Sequence, residues 1–108
     1  MRRVESDVRI ANTILLYAVR DGATKIRLQA GMGINVHYLI GDEWQAQMKM
    51  PGLVWNDLRA HFAQRSQTWK EPVAFDQDGQ SARFDASFEP TPDLPLQTLV
   101  LTRRAETP

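Results

Sequence analysis

The fold is decided by residues 8–44, which read VRIANTILLYAVRDGATKIRLQAGMGINVHYLIGDEW. The first part of this stretch has apolar residues at the i, i+3, i+4, i+7, i+8 spacing of a buried helical stripe, which predicts an amphipathic helix. Ser6 is suited to cap the start of this helix, and Gly22 is suited to end it in the left-handed conformation. The stripe consists of Ala11, Ile14, Leu15, Ala18 and Val19.

Three strands are predicted after the helix, because apolar and polar residues alternate over residues 24–29, 34–40 and 43–49. Glycine-containing turns separate them at Gly31-Met32-Gly33 and at Gly41-Asp42. In the third strand, alternation places Trp44, Ala46 and Met48 on the inner side. The stretch therefore predicts an antiparallel meander with one face on the helix.

The rest of the chain predicts a second helix and two or three more strands. The helix begins near Pro51, where the first turn tolerates proline, and ends near Arg65. An extended segment over residues 73–76, a turn at Asp78-Gly79 and an alternating strand with its apolar residues at positions 82–88 follow. Prolines at 90, 92 and 95 predict a loop, residues 96–102 a last strand and residues 103–108 a frayed tail.

This order predicts an α+β fold with helices packed on an antiparallel sheet, in a single domain over residues 1–108 that is ordered over 6–103. Thirteen basic residues balance thirteen acidic ones, so no net field favours nucleic acid or an anionic membrane. The chain has no cysteine, no long apolar run and no signal-peptide pattern. We therefore expect a cytoplasmic protein that neither inserts into a membrane nor binds nucleic acid.

No catalytic constellation is predicted. The two histidines, His37 and His61, lie on a strand and a helix without the spacing of paired metal ligands, and a zinc site would lack cysteine. We expect no metal, no cofactor and no enzymatic activity. Trp44 and Trp55 fall on predicted apolar faces and are expected in the core, whereas Trp69 lies in a polar linker and is a candidate for partner contact.

Several segments resemble the second N-terminal domain of secretion ATPases, the motors of type II secretion and type IV pili. Residues 10–18 and 21–29 resemble the helix and first strand of that domain, and residues 36–42 resemble its second strand. Gln77-Asp78-Gly79 resembles its Gln-Asp-Gly turn. The family's polar positions differ: Lys25 stands in place of aspartate, Arg27 of histidine and Leu39 of arginine.

The resemblance implies a PAS-like α+β domain and a non-catalytic protein-interaction module. It implies a secretion or pilus ATPase, a platform protein or a second copy of the chain as the partner. The sequence ends where the family's ATP-binding domain would begin, so the chain is not expected to be an ATPase by itself. The candidate interaction residues are Leu16, Tyr17, Arg27, Leu39, Trp69 and Arg83.

Two alternatives stay open at this stage. Leu16 and Tyr17 lie beside the main helical stripe, where they either form an exposed contact or pack under the later strands. The chain is alternatively a PAS-like small-molecule sensor or regulatory domain with a ligand in its core. The side chains expected to line such a cavity are Met32, Tyr38, Met48 and Phe84.

Overall fold

Two α-helices and six β-strands make up the α+β fold within residues 2–30, 33–77, 79–90 and 97–104, which the computed structural model describes. The predicted order of helix, three strands, helix and then further strands is confirmed, with three strands in the last group. The elements are α1 (Arg2–Asp21), β1 (Lys25–Ala30), β2 (Gly33–Ile40), β3 (Glu43–Pro51), a 3₁₀ turn (Gly52–Val54), α2 (Trp55–Arg65), β4 (Val73–Gln77), β5 (Gln80–Pro90) and β6 (Gln97–Arg103).

The six strands form one antiparallel sheet in the order β3-β2-β1-β6-β5-β4. Each group of three consecutive strands is a meander, and the two meanders meet where β1 pairs with β6. Arg27 of β1, for example, lies opposite both His37 of β2 and Val100 of β6. The strand closest to the chain's end is therefore central in the sheet.

Both helices pack on the same side of this sheet, here named the covered face. The predicted helical stripe is confirmed, because Ala11, Ile14, Leu15 and Ala18 are fully buried. The strands meet the helices with alternate residues that are also buried, as the alternation of β1 and β2 predicts. These strand residues are Ile26, Leu28, Ala30, Ile34, Val36, Tyr38, Val73, Phe75, Ala82, Phe84, Leu99 and Leu101.

Two polar contacts fix the helices to the sheet. The buried hydroxyl of Tyr38 donates a hydrogen bond to the carbonyl oxygen of Ile14 in α1. At the end of α2, the Arg65 guanidinium donates to Asn12 Oδ1 at 2.8 Å and to the carbonyl oxygen of Ala74 in β4 at 2.7 Å. One half-buried side chain thus joins α2 to both α1 and the edge of the sheet.

The turns at Gly22 and Gly41 follow the prediction. Gly22 has φ +74° directly after the last residue of α1, and the Ala23 amide bonds back to the Ala18 carbonyl oxygen at 2.9 Å. Gly41 has φ +65° between β2 and β3. A side chain at either position would be held in the left-handed region, which explains why glycine is present.

Two predicted boundaries are wrong. Ser6 lies inside α1, which begins at Arg2, because nothing in the first residues breaks a helix and serine costs an interior position only about 0.5 kcal/mol. Arg103 belongs to β6 and not to a frayed tail. Arg104 is also held, since its amide bonds to the Arg83 carbonyl oxygen at 2.8 Å and its side chain pairs with Asp85 at 2.8 Å.

Other predictions concern residues outside those described: Gly31 and Met32, Asp78, the proline loop within 91–96, and the tail 105–108. Neither of the described helices, α1 and α2, has the length and apolarity that crossing a membrane would require.

Candidate functional site

Neither α1 nor α2 lies on the second face of the sheet, which is here named the open face. It is formed by the strand residues that alternate with those of the covered face, as the pairing registers fix. Its members are Lys25, Arg27 and Gln29 of β1; Asn35, His37 and Leu39 of β2; Trp44, Ala46 and Lys49 of β3; Thr98, Val100 and Thr102 of β6; Arg83, Asp85, Ser87 and Glu89 of β5; and Ala74 and Asp76 of β4.

An irregularity in β3 determines what this face displays. Val36 lies opposite Met48 but His37 lies opposite Ala46, so Gln47 is an extra residue in a β-bulge. One inserted residue moves every side chain beyond it to the other face of the sheet. Met48 and Met50 consequently pack on the covered face, while Trp44 lies on the open face.

The prediction that Trp44 and Ala46 lie in the core is therefore wrong. The Trp44 side chain is 38% exposed, and Ala46 is exposed as well. Apolar residues alternate without interruption from Trp44 to Met50, so the sequence pattern does not show that the side chains change from one face of the sheet to the other at Gln47. Trp55, by contrast, is 8% exposed and lies in the core as predicted.

Arg27 and Trp44 are in contact on the open face. The guanidinium carbon of Arg27 lies 4.4 Å from the centre of the Trp44 ring. The two residues belong to β1 and β3, so the arginine side chain crosses β2 to reach the indole. A cation–π contact at such a site contributes about 0.5–1 kcal/mol. It holds a positive charge and an exposed aromatic ring together on one surface.

His37 lies beneath this contact, directly opposite Arg27. Burial lowers the pKa of His37, and the positive charge of Arg27 lowers it further. The His37 Nδ1 and Arg27 Nε atoms are both buried without a hydrogen-bond partner among the described residues. An unpaired buried polar group costs about 1–3 kcal/mol, so the resting arrangement leaves hydrogen-bonding capacity unused.

Charge is unevenly distributed over the open face. The positions on β1, β2 and β3, here named the basic half, carry Lys25, Arg27 and Lys49 and no carboxylate among the described residues. The positions on β4 and β5, here named the mixed half, carry carboxylates that are mostly paired. Asp76 lies 3.3 Å from Arg83.

Asp85 is also paired, since its carboxylate lies 2.8 Å from Arg104. The mixed half is therefore close to neutral. The hydrogen bond from Ser81 lowers the pKa of Asp76, and the hydrogen bond from Arg83 lowers it further. Glu89 shares no ion pair with the described residues. The two halves of one face therefore differ in electrostatic character as well as in composition.

The structure brings together two of the six predicted interaction residues. Arg27 and Leu39 both lie in the basic half, where Leu39 is half-buried and opposite Trp44. Arg83 lies in the mixed half, on the far side of the sheet. The sequence missed His37, Trp44 and Lys49 as members of the same surface, because their grouping depends on the bulge and the strand order.

The other three predicted residues lie on the helix side of the molecule. Tyr17 is 42% exposed on α1, with the guanidinium carbon of Arg20 5.5 Å from its ring centre. Leu16 is half-buried and packs against the core. Trp69 is half-buried too, and its ring meets Phe88 edge-on with 5.0 Å between centroids.

Trp69 closes an unusual turn after α2. Gln67, Thr68 and Trp69 have φ values of +50°, +56° and +68°, a conformation that non-glycine residues rarely adopt. The buried Ser66 hydroxyl stabilises the turn by accepting a hydrogen bond from the Trp69 amide at 3.0 Å. Packing on Phe88 and this hydrogen bond give Trp69 a structural role.

The described residues offer no metal site, since no group of three or more His, Asp or Glu side chains comes together among them. Two of the side chains predicted to line a ligand cavity, Tyr38 and Phe84, are fully buried in the packed core. Met48 packs against that core, and Met32 lies outside the described residues. A cleft of about 470 Å³ lies elsewhere, at the surface between α1 and the β4–β5 hairpin.

Compared with models of known protein families, the chain matches none, and a search of curated proteins also returns no match.

Proposed function

We propose that the chain is a non-catalytic protein-interaction module related to the second N-terminal domain of type II secretion and type IV pilus ATPases. The observation that carries the proposal is the open face, where the Arg27–Trp44 contact and Leu39 form a surface that neither α1 nor α2 covers. Exposed aromatic and arginine side chains are the types that contribute most to protein–protein affinity.

The order of the elements supports the suggested relationship. A helix and a three-stranded meander, followed by a second helix and further strands, is consistent with the PAS-like α+β domain that the resemblance implies. The partner proposed on this basis is a secretion or pilus ATPase, a platform protein or a second copy of the chain.

The size of the open face is sufficient for a specific but modest interface. The six strands are spaced about 4.8 Å apart, and each is about six residues long at about 3.3 Å per residue. The face they form therefore measures on the order of 600 Å². A standard interface buries about 800 Å² on each partner, so a partner that covered the whole open face would form an interface somewhat smaller than the standard size. We therefore expect a transient or moderate association.

Site-specific photocrosslinking tests the proposal. A benzophenone amino acid replaces Leu39 on the open face in one variant and Asn56, which is exposed on α2, in a matched control. We expect the Leu39 variant to give a discrete crosslinked species in cells of the source organism. Mass spectrometry should identify it as a secretion or pilus component or as a second copy.

The control should give no such species. If Leu39 and Asn56 crosslink to the same heterogeneous set of proteins, the open face is not a docking surface. Size-exclusion chromatography with light scattering separates the two kinds of partner, since a second copy doubles the mass of the purified protein.

A further inference from the structure

The basic half of the open face has unused capacity to bind negative charge. Lys25 and Arg27 lie on β1 and Lys49 lies on β3, with β2 between them, and none of the three forms an ion pair with another described residue. The carboxylates of the open face lie on β4 and β5, on the other side of β6. Electrostatic complementarity at an interface would therefore require acidic groups from the partner.

The three cations are spread over a distance that fits an extended chain. Lys25 lies in the row of Leu39 and Trp44, and Lys49 lies in the row of Asn35 and Gln29. Lys25 and Lys49 are therefore four residues apart along the strands and two strands apart across the sheet. The separation is on the order of 16 Å, which is the length of about five residues in an extended segment.

Arg27 occupies the middle row and has no anionic partner among the described residues. Its guanidinium rests on the Trp44 ring. A carboxylate accepts two parallel hydrogen bonds from a guanidinium, which the indole ring cannot do. A partner carboxylate would therefore improve the hydrogen bonding of Arg27 while leaving its charge at the same surface.

Apolar side chains lie beside the cations. Leu39 and Trp44 follow Lys25 in the same row, towards the edge of the sheet, and Ala46 is exposed in the next row with Arg27. A segment that carries aliphatic or aromatic residues among its acidic ones would match both features.

We infer that the basic half of the open face binds an extended acidic segment of a partner protein. The carboxylates of that segment pair with Lys25, Arg27 and Lys49, and its apolar side chains pack on Leu39 and Trp44. This inference rests on the proposed function, because it specifies the chemistry of the same docking surface.

A single-stranded nucleic acid is the competing occupant, and the observations favour it less. The ring face of Trp44 that a base would stack on is partly occupied by Arg27. The chain has no net charge, and the same sheet face continues into the carboxylates of the mixed half. A long polyanion would meet these carboxylates, whereas a short acidic segment does not need to reach them.

The test is an NMR titration of the ¹⁵N-labelled chain with a synthetic peptide that reads Ser-Glu-Leu-Glu-Ser-Leu-Glu-Ser, in which the first and last glutamates are five residues apart. Matched peptides replace every glutamate by glutamine or by lysine, and a ten-nucleotide oligothymidine is the nucleic-acid probe. We expect shifts at Arg27, His37, Leu39 and Trp44 with the glutamate peptide, and affinity at least about fivefold weaker for the glutamine peptide. Added salt should weaken the binding further.

Charge-removing variants locate the binding. Arg27→Gln and Lys49→Gln should each weaken the glutamate peptide by about threefold or more. Arg9→Gln, which removes an exposed cation from α1, should leave the affinity unchanged. Circular dichroism of each variant shows whether it is folded, and Lys25→Gln replaces any variant that is not.

Three results would overturn the inference: equal affinity for the glutamate and glutamine peptides, oligothymidine binding as tight as the glutamate peptide, or shifts confined to residues outside the basic half. If the NMR signals of the basic half broaden as the protein concentration rises, with no peptide present, the inference would also be overturned, because the occupant would then be a second copy of the chain. A discrete Leu39 crosslink with no peptide binding would contradict this inference and leave the proposed function intact.

Discussion

The two faces of the sheet use the same strands for different purposes. On the covered face, side chains from β1, β2, β5 and β6 are fully buried under α1 and α2. On the open face, the same strands display mostly polar and charged residues, and Trp44 of β3 is exposed beside Arg27. The difference suggests that folding stability depends mainly on one face and partner binding mainly on the other.

The largest expected effect comes from a matched pair of leucines. Leu28 is fully buried on the covered face, and Leu39 is half-buried on the open face. Leu28→Ala should lower the free energy of unfolding by about 2–5 kcal/mol, because it removes buried methyl groups and leaves a cavity. Leu39→Ala should cost less than about 1 kcal/mol. Urea denaturation measures both, and equal losses would contradict the division of the two faces.

Two arginines make a second comparison. Arg65 bonds α1 and β4 with both of its terminal nitrogens, whereas Arg27 rests on an aromatic ring. Arg65→Gln should cost about 2 kcal/mol, since charged hydrogen bonds are lost. Arg27→Gln should change the free energy of unfolding by less than about 1 kcal/mol. A greater loss from Arg27→Gln than from Arg65→Gln would show that the open face also determines stability.

Two tyrosines give a smaller contrast. The hydroxyl of Tyr38 is buried and bonds to the Ile14 carbonyl oxygen, and burial raises its pKa above the ordinary value. Tyr38→Phe should cost about 1 kcal/mol, the net value of one buried hydrogen bond. Tyr17 is 42% exposed, so Tyr17→Phe should stay within about 0.5 kcal/mol of the wild type. Thermal unfolding followed by circular dichroism distinguishes the two.

The smallest effect is the pH dependence that His37 contributes. The pKa of His37 is lowered below 6.5 in the folded chain by burial and by Arg27. Below about pH 6.5, His37 therefore binds a proton more readily in the unfolded chain than in the folded one. The contribution of His37 to stability is fully present above that pH and is lost as the pH falls.

Replacing this histidine isolates its contribution from that of the other titrating groups. His37→Asn should reduce the loss of stability between pH 7.5 and pH 5.5, as measured by urea midpoints at the two pH values. An unchanged difference between the two midpoints would show that His37 is not the group responsible.

Sequence patterns predicted the covered face better than the open one. The helical stripe around Ile14 and the alternation around Leu28 both report burial directly, and both are confirmed. The grouping of Arg27 with Trp44 depends on strand order and on the bulge at Gln47, for which the sequence has no local signal. The pairing of β6 with β1 is likewise a long-range choice that alternation alone does not determine.

The placement of Trp44 tests the central claim most directly, because the open face has this surface only if the bulge turns the indole outward. In a variant with Trp55→Phe and Trp69→Phe, Trp44 is the sole fluorophore of its kind. We predict red-shifted emission. Relative to their effects on free N-acetyltryptophanamide, iodide should quench at least about twofold more strongly than caesium, because Arg27 and Lys25 attract anions. Blue-shifted emission that neither ion quenches would contradict the account, since it would place Trp44 in the core.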